Sequence, residues 1–389
     1  NPVPKGQYLK VNGTTTFLVS AFQEHRTKTR EVRVIAISRR SKTGSYLCLL
    51  CCEGRIHTSK GINNVLSTHY YFAYGTSHLM CPVPDSCDRP SHISAVSTDV
   101  EFTGVGQFLR VENLEPRKEA FPHNFTVCIS TMFEFSNVLQ LVQSFEMLKF
   151  LGATRVLVYK SSASAKTQHV LDYYAQTGFL EVIPWAVSRF LNVSRSWLPQ
   201  LSPGDIHYFG QLPALNDCIY RCMYQTRYLA LHDLDELILP QTVSSWPELL
   251  PLLEGSHREG CFSFENNVFP TNVILAPPKS EVLHPASRWH PGSQRAPGVN
   301  ILAHLYQEPS EKSSNIKRKL IVNPRGVISP DIHELAQAEF ICVKVDRNLG
   351  RMYHTRSPLQ PELTPDQLVY DDRLLNYSSR LIPAVAAVL

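Results

Sequence analysis

The sequence predicts a chain in two parts: an all-β sandwich over residues 1–120, then an α/β domain over 121–389 built on a mostly parallel, Rossmann-type sheet. Three observations carry this expectation. Short runs rich in β-branched and aromatic residues recur in the first part, separated by Gly, Ser, Asn and Pro clusters. Strand-length apolar runs alternate with helically spaced apolar residues in the second. At 389 residues the chain is also longer than one hydrophobic core usually serves.

In the first part, strands are expected at 15–19, 31–37, 46–51, 70–74, 95–100 and 108–111, with breaks such as Ser41-Lys42-Thr43-Gly44-Ser45 between them. Their spacing is that of a sandwich. The aromatic run Tyr70, Tyr71, Phe72 and Tyr74 is a candidate carbohydrate-binding face, with a purely stiffening domain as the alternative. Glu115-Pro116-Arg117-Lys118-Glu119-Ala120-Phe121-Pro122 is polar and flanked by proline, the composition of a linker.

The second part opens with a strand at 125–132. Val138, Leu141, Val142, Phe145 and Leu148 then share one helical face, which Gly152 ends. A strand at 155–159, a helix at 167–177 and a strand at 179–184 follow. A helix over 212–225 leads into the run Tyr228-Leu229-Ala230-Leu231-His232-Asp233-Leu234-Asp235-Glu236. Such βαβ alternation calls for a parallel sheet, whose ligands gather beyond the carboxyl ends of the strands. Farther on, a helix is expected at 246–253 and strands at 260–264, 319–323 and 341–345. The stretch 276–300 has little periodicity and the length of a lid or binding loop. From Pro358 a tail with one short helix completes the chain.

Composition narrows the function classes. A net charge of +4 is too small to indicate nucleic acid or an anionic membrane surface as a partner. Ten cysteines are present, among them Cys48, Cys51, Cys52, Cys81 and Cys87. A zinc reading of this group fails on spacing, because the second pair is too far apart and Cys51 and Cys52 are adjacent, so disulfides are expected. Asn-X-Ser/Thr sequons stand at Asn12, Asn124, Asn192 and Asn376. Together these point to a lumenal protein of the secretory pathway. No apolar run has membrane-spanning length, and the chain opens abruptly at Asn1-Pro2-Val3-Pro4. The full-length protein is therefore expected to carry a membrane anchor N-terminal to Asn1.

The chemistry centres on the acidic run. In an extended chain Asp233 and Asp235 point the same way. Two aimed carboxylates suit a hard divalent cation that also holds a diphosphate. Three further motifs follow: Lys317-Arg318-Lys319-Leu320-Ile321-Val322-Asn323-Pro324, Asp331-Ile332-His333-Glu334, and Met352-Tyr353-His354-Thr355-Arg356. With Leu139-Gln140-Leu141-Val142-Gln143-Ser144-Phe145-Glu146 and the Asp233 triplet, they make residues from about 125 to 360 resemble glycosyltransferase family 92. Within that family the motifs are similar to those of avian enzymes that extend galactose with β1,4-galactose. The resemblance implies a GT-A-like fold and an inverting, Mn²⁺-dependent transfer of galactose from UDP-galactose onto terminal galactose of glycoprotein glycans, in the Golgi lumen. Nucleotide sugar and glycan would be the partners, with no nucleic acid.

Roles follow from chemistry beside that resemblance. Asp235 is expected as a direct metal ligand, with Asp233 on a metal-bound water or the ribose, and His333 as a further ligand, since manganese accepts imidazole. Lys319, His354 and Arg356 are expected to meet the negative charge of the departing UDP. Glu265 is the first choice for the base that takes the acceptor proton, with Asp331, Glu334 and Glu236 as competitors. Gln211, Asn216 and Asp217 either contact uridine or cap their helix. Trp289, His284 and His290 are candidates for the acceptor side, and Trp185 and Trp197 are either platform or core. A binding protein of the same fold without turnover is the main rival. A two-metal phosphoesterase ranks lower, because the chain lacks a second ligand cluster.

Overall fold

The computed structural model describes residues 4, 6–41, 44–99, 106–117, 119–256, 260–278, 296–309 and 317–389. The first part is one sheet closed on itself. β1 (Leu9–Lys10) pairs with β2 (Phe17–Glu24), which continues through β3 (Glu31–Arg39), β4 (Tyr46–Cys52), β5 (Arg55–Val65), β6 (Tyr74–Pro82), β7 (His92–Ser97) and β8 (Leu109–Glu112). The spatial order is β1-β2-β3-β6-β5-β4-β7-β8, and a parallel pairing of Ala21 and Phe22 with Val111 and Glu112 joins β8 back to β2. The expected sandwich is thus a barrel, whose closure leaves no long free edge. Two disulfides, Cys48–Cys81 and Cys52–Cys87, pin it, and Cys51 stays free.

β2 and β3 are apolar on both faces for a reason. Leu18, Val32, Val34 and Ala36 fill the barrel interior, while Phe17, Val19, Ile35 and Ile37 belong to a core shared with the second part. β5 is the opposite case: its residues alternate between exposed and half-buried, with few apolar side chains, so its sequence carries little strand signal. The expected strand at 70–74 is instead a turn, with Tyr70 and Tyr71 at φ 48° and 67°. Nor do its aromatics form a face. Phe72 is fully buried, Tyr70 and Tyr74 pack against the shared core, and only Tyr71 is well exposed.

The second part begins at β9 (His123–Met132) and alternates as expected through α1 (Val138–Leu151), β10 (Arg155–Lys160), α2 (Ala165–Gln176), β11 (Leu180–Pro184), α3 (Gln211–Cys222) and β12 (Thr226–Leu231). β11, β10, β9 and β12 lie side by side and parallel. Asn137 caps α1 by accepting the Gln140 N–H, and Gly152 ends it at φ 100°, where an added Cβ would lie 2.6 Å from Pro247. Beyond β12 come β13 (Glu236–Pro240), α4 (Trp246–Ser256), β14 (Cys261–Pro270), β15 (Tyr306–Gln307), β16 (Arg318–Val322), β17 (Val327–Pro330), β18 (Leu335–Ala338), β19 (Val343–Lys344), β20 (Gly350–Arg356), β21 (Val369–Tyr370) and α5 (Ser378–Val388). The sheet continues from β12 as β16-β14-β20-β13, with both antiparallel and parallel pairs, so as a whole it is mixed. Disulfides tie β9 to α3 through Cys128–Cys218, and Cys261 to Cys342.

α3 is the keystone between the parts. All of its residues are buried, with β9 on one side and β2, β3 and β6 on the other. A helix buried all round must satisfy its own polar groups. Asp217 does so with Tyr159 and Arg221, and Arg221 also reaches Glu112 of the barrel at 3.0 Å. Asn216 meets His78 of β6 at 3.1 Å. The Arg33 guanidinium, which can only donate, lies 2.9 Å from His78 Nδ1, so that nitrogen accepts and Nε2–H donates to Asn216. Protonation would remove the lone pair Arg33 uses.

Burial, then Arg33, pushes His78 down to about 3, and burial pushes His207 down to about 4. Both folded values lie below the unfolded value of about 6.5. Between the folded and unfolded values the unfolded chain binds more protons, so this stabilisation is complete above about pH 6.5 and is lost progressively as pH falls from there towards the folded values. Each histidine contributes a slope of up to ~1.4 kcal/mol per pH unit. Wild type is expected to lose more stability between pH 7.5 and pH 5 than His78→Gln, whose amide can keep both bonds. Urea unfolding at the two pH values measures this, and equal losses would refute it.

Candidate active site

β12 ends at Leu231 and the chain turns at once. The Asp233 N–H donates to Glu236 Oε2 at 2.7 Å, and the Glu236 N–H donates to the Asp233 carbonyl at 3.2 Å. The acidic run is therefore a tight turn rather than extended strand. Asp233 and Asp235 still open on one cleft, and their side chains keep 38% and 37% exposure. Glu236, the first residue of β13, points inward and is buried.

Beneath the turn sit two basic side chains. Lys319 of β16 is buried, with Nζ 2.9 Å from Asp233 Oδ2 and 3.2 Å from Glu236 Oε2. His354 of β20, the direct cross-strand partner of Glu236, places Nε2 3.1 Å from Asp235 Oδ2 and Nδ1 3.6 Å from Glu236 Oε1. Desolvation would raise the Asp233 carboxyl, but Lys319 holds it down to about 2. Burial alone would lower His354, and Glu236 and Asp235 outweigh it and push it up. Burial pushes Glu236 up against the pull of Lys319.

The cleft has a volume of about 520 Å³. Its floor comes from the carboxyl end of β9 (Ser130 and Thr131) and from the acidic turn, where an open α/β sheet gathers its ligands. Arg356 lies on one wall, as the last residue of the strand carrying His354. The other wall is aromatic. Phe133 stacks on Phe209 at 4.4 Å, and Trp197 lies parallel to Tyr208 at 5.6 Å and to His333 at 5.8 Å. Tyr208 and Phe209 have φ 24° and 52°, and Gly210 follows at 72°. Positive φ at adjacent aromatic residues is rare and is found chiefly where function holds it.

His333 is neutral, because burial and then Lys319 push it down to about 4. Its Nδ1 lies 3.2 Å from the Arg318 carbonyl, so Nδ1–H donates and Nε2 keeps its lone pair. That Nε2 is buried with no hydrogen-bond partner. A backbone carbonyl behind the ring is how metal-binding histidines are usually oriented. With two half-open carboxylates nearby in the fold, the donor set fits a manganese ion in kind. Among the described residues no three His, Cys, Asp or Glu groups converge on one point. A cation here would take one or two carboxylates and complete its shell with diphosphate and water.

Other expectations are corrected. Asp217 is not on the cleft: it is buried in α3, with Tyr159 and Arg221 on its carboxylate. Asn216 is likewise internal, whereas Gln211 does line the cleft and donates to Ser130 Oγ at 2.8 Å. Lys319 lies under the acidic turn and is absent from the cleft wall, so it acts on Asp233 rather than on a departing diphosphate. Glu265 was expected at a strand end, but β14 runs on to Pro270. It sits mid-strand, off the cleft wall, with Arg347 at 3.8 Å. Asp331 accepts from Tyr70, and Glu334 is exposed on the same turn. Trp185 is core, Trp197 is cleft wall, and Lys317 lies over the Trp197 ring at 5.2 Å. His284, Trp289 and His290 lie outside the described residues. Sequence reasoning missed Phe133, Tyr208 and Phe209; the signal was the aromatic pair before Gly210 at the head of α3.

Comparison with known proteins gives four findings. The profile described as Glycosyltransferase family 92 matches residues 123–378. Glycosyltransferase family 92 protein F13G3.3 of Caenorhabditis elegans is 28% identical over 137 residues, 35% of this chain and 26% of that protein. Beta-1,4-galactosyltransferase galt-1 of the same organism is 23% identical over 172 residues, 42% of this chain and 37% of its own length. The matched stretches thus span between a quarter and two fifths of these relatives. Among solved structures, S. aureus TarS 1-349 in complex with UDP aligns at 12% identity and a TM-score of 0.30, over 67% of this chain and 65% of that one. That likeness is too slight to bear on fold or ligand.

Lys319→Met would leave Glu236 buried without its main counter-charge. The expected cost is about 3–5 kcal/mol, the usual result of breaking a buried pair from one side. Adding Glu236→Gln should restore part of it. Denaturant unfolding of the single and double variants measures this, and a Lys319→Met protein as stable as wild type would refute the account.

Proposed function

The chain belongs to glycosyltransferase family 92, and from that premise we propose that it transfers galactose from UDP-galactose, with inversion and with Mn²⁺, to terminal galactose of glycoprotein glycans in β1,4 linkage. The observation that carries the reading is the pair Asp233 and Asp235, open on a cleft at the carboxyl ends of parallel strands, with a free His333 lone pair in the same region. A galactosyltransferase among the relatives supports the choice of sugar. Asp235, Asp233 and His333 are the candidate ligands, of which one or two would hold the cation beside diphosphate and water, and its charge offsets that of the diphosphate.

The protein side of the reaction follows from the cleft. Arg356 and His354 favour the negative charge that UDP gains as the bond from C1 to the diphosphate oxygen breaks. Trp197, Tyr208, Phe209 and Phe133 offer flat apolar faces for a base or a pyranose ring. The acceptor hydroxyl oxygen bonds to C1 from the opposite side, and its proton must pass to a base. Glu265 pairs with Arg347, Glu236 is buried against Lys319, and Asp331 Oδ1 already accepts from Tyr70 and the Ile332 amide, so that role is assigned to Glu334, exposed on the His333 turn. The same reading places the enzyme in the Golgi lumen, anchored through an N-terminal membrane segment. Four disulfides and the exposure of Asn12, Asn124, Asn192 and Asn376 support the lumenal part.

The test is a screen of UDP-sugars against galactose-terminated acceptors, with and without Mn²⁺. Galactose transfer that chelation abolishes is expected, and no galactose transfer under any condition overturns the reading. Asp235→Ala should lower turnover at least ~100-fold, a typical effect of losing electrostatic support at the reacting centre. Glu334→Gln should lose turnover while still binding UDP, whereas Glu265→Gln should stay within a few-fold of wild type. Steady-state kinetics with UDP calorimetry separates these cases, and the opposite ranking of the two glutamates would remove Glu334 as base.

A further inference from the structure

Two turns bear on the cleft from outside the sheet. One, at residues 207–210, lines it with Tyr208 and Phe209; the other, at 331–334, carries His333, which stacks on the cleft residue Trp197. One side chain of the barrel touches both. The Tyr70 ring stacks on His207 at 4.3 Å, and its hydroxyl donates to Asp331 Oδ1 at 2.8 Å. The same Asp331 oxygen accepts the Ile332 N–H at 2.7 Å, which fixes the backbone just before His333.

The contacts close on themselves. His207 lies edge-on to Trp197 at 5.7 Å, and Trp197 is parallel to His333, whose turn leads back to Asp331 and Tyr70. Backbone contact reinforces the arrangement, since the Tyr74 N–H donates to the Asp205 carbonyl at 2.9 Å, and Phe72 meets His207 edge-on. Both ring nitrogens of His207 are buried without partners, so this residue presents a neutral flat ring to Tyr70. Burial and then Asp331 raise the Tyr70 phenol, which keeps it a donor. Tyr70 itself holds φ 48°, a conformation that a non-glycine residue keeps only where its surroundings over-determine it.

We infer that Tyr70 is a positioning residue of the transfer reaction: it fixes Trp197 and Tyr208 on the cleft, and His333 beside Trp197, through His207 and Asp331. This rests on the function proposed above and assigns the barrel a part in the catalytic site. Tyr70→Phe keeps the stack and removes only the hydroxyl. It should unfold at the wild-type denaturant midpoint, yet amide exchange should quicken at 205–210 and 331–335 and not elsewhere in the barrel. The kcat should fall about tenfold with donor KM within about twofold, as misplacement of reacting groups requires. In an Asp331→Ala background the same change should add nothing, since the bond it removes is already gone. Tyr70→Leu, which also loses the stack, should fall further than Tyr70→Phe. Unchanged exchange in both turns, unchanged kcat in an active enzyme, or additive losses in the double variant would each overturn the inference. A wild-type chain that binds no UDP and transfers no sugar would instead overturn the functional reading, and the exchange measurement would still decide the contact.

Discussion

A single buried ammonium underlies the geometry of the cleft. Lys319 sits where three carboxylates crowd one turn, and without a counter-charge Glu236 could not remain inside and ionised. With it, Glu236 can accept the Asp233 amide and close the turn, and that closure is what leaves Asp233 and Asp235 facing outward. His354 completes the arrangement from the neighbouring strand. The mixed half of the sheet is therefore not an appendage to the parallel half. β16 and β20 deliver the two basic side chains that shape a turn belonging to β12 and β13.

The barrel enters through α3. A helix buried on every side couples whatever packs on it, and here β9 of the sheet and three barrel strands do so. Ion pairs and hydrogen bonds cross this boundary at Arg221–Glu112, His78–Asn216 and Arg26–Tyr220. The first turn of α3 follows directly on Tyr208 and Phe209, so movement of the helix against the barrel would reach the cleft wall. The two parts are distinct in sheet topology but continuous in core.

Much of this was legible in the sequence. The parallel β9–β12 unit was readable element by element, because its apolar runs have strand length and its helices carry clean stops such as Gly152. The placement of Asp233 and Asp235 at a strand end followed from the same alternation. Local pattern could not show barrel closure, which depends on a pairing of Ala21 with Val111 across ninety residues of chain. It could not show that Lys319 faces inward, since a basic run reads the same on a solvated turn. Glu265 was misplaced because Asn266 and Asn267 looked like a strand end, while β14 continues through them. Asp217 was misplaced because a charged residue near a helix start reads as exposed, whereas in this fold Tyr159 and Arg221 allow it to be buried. Tyr208 and Phe209 gave only a faint signal, an aromatic pair ahead of a glycine.

The two-sided apolar character of β2 and β3 bears on how the chain is made. The strands that form the barrel leave the ribosome before α3, and the outer side chains Phe17, Val19, Ile35 and Ile37 are fully covered only once α3 is synthesised. At ordinary translation rates the interval between Glu112 and Cys222 is roughly 5 to 20 s. Through that window a nearly finished barrel displays a greasy flank to the crowded compartment it enters. Chaperone occupancy during biosynthesis should thus concentrate on the earliest-folded portion of the polypeptide, and release should coincide with arrival of a helix encoded far downstream.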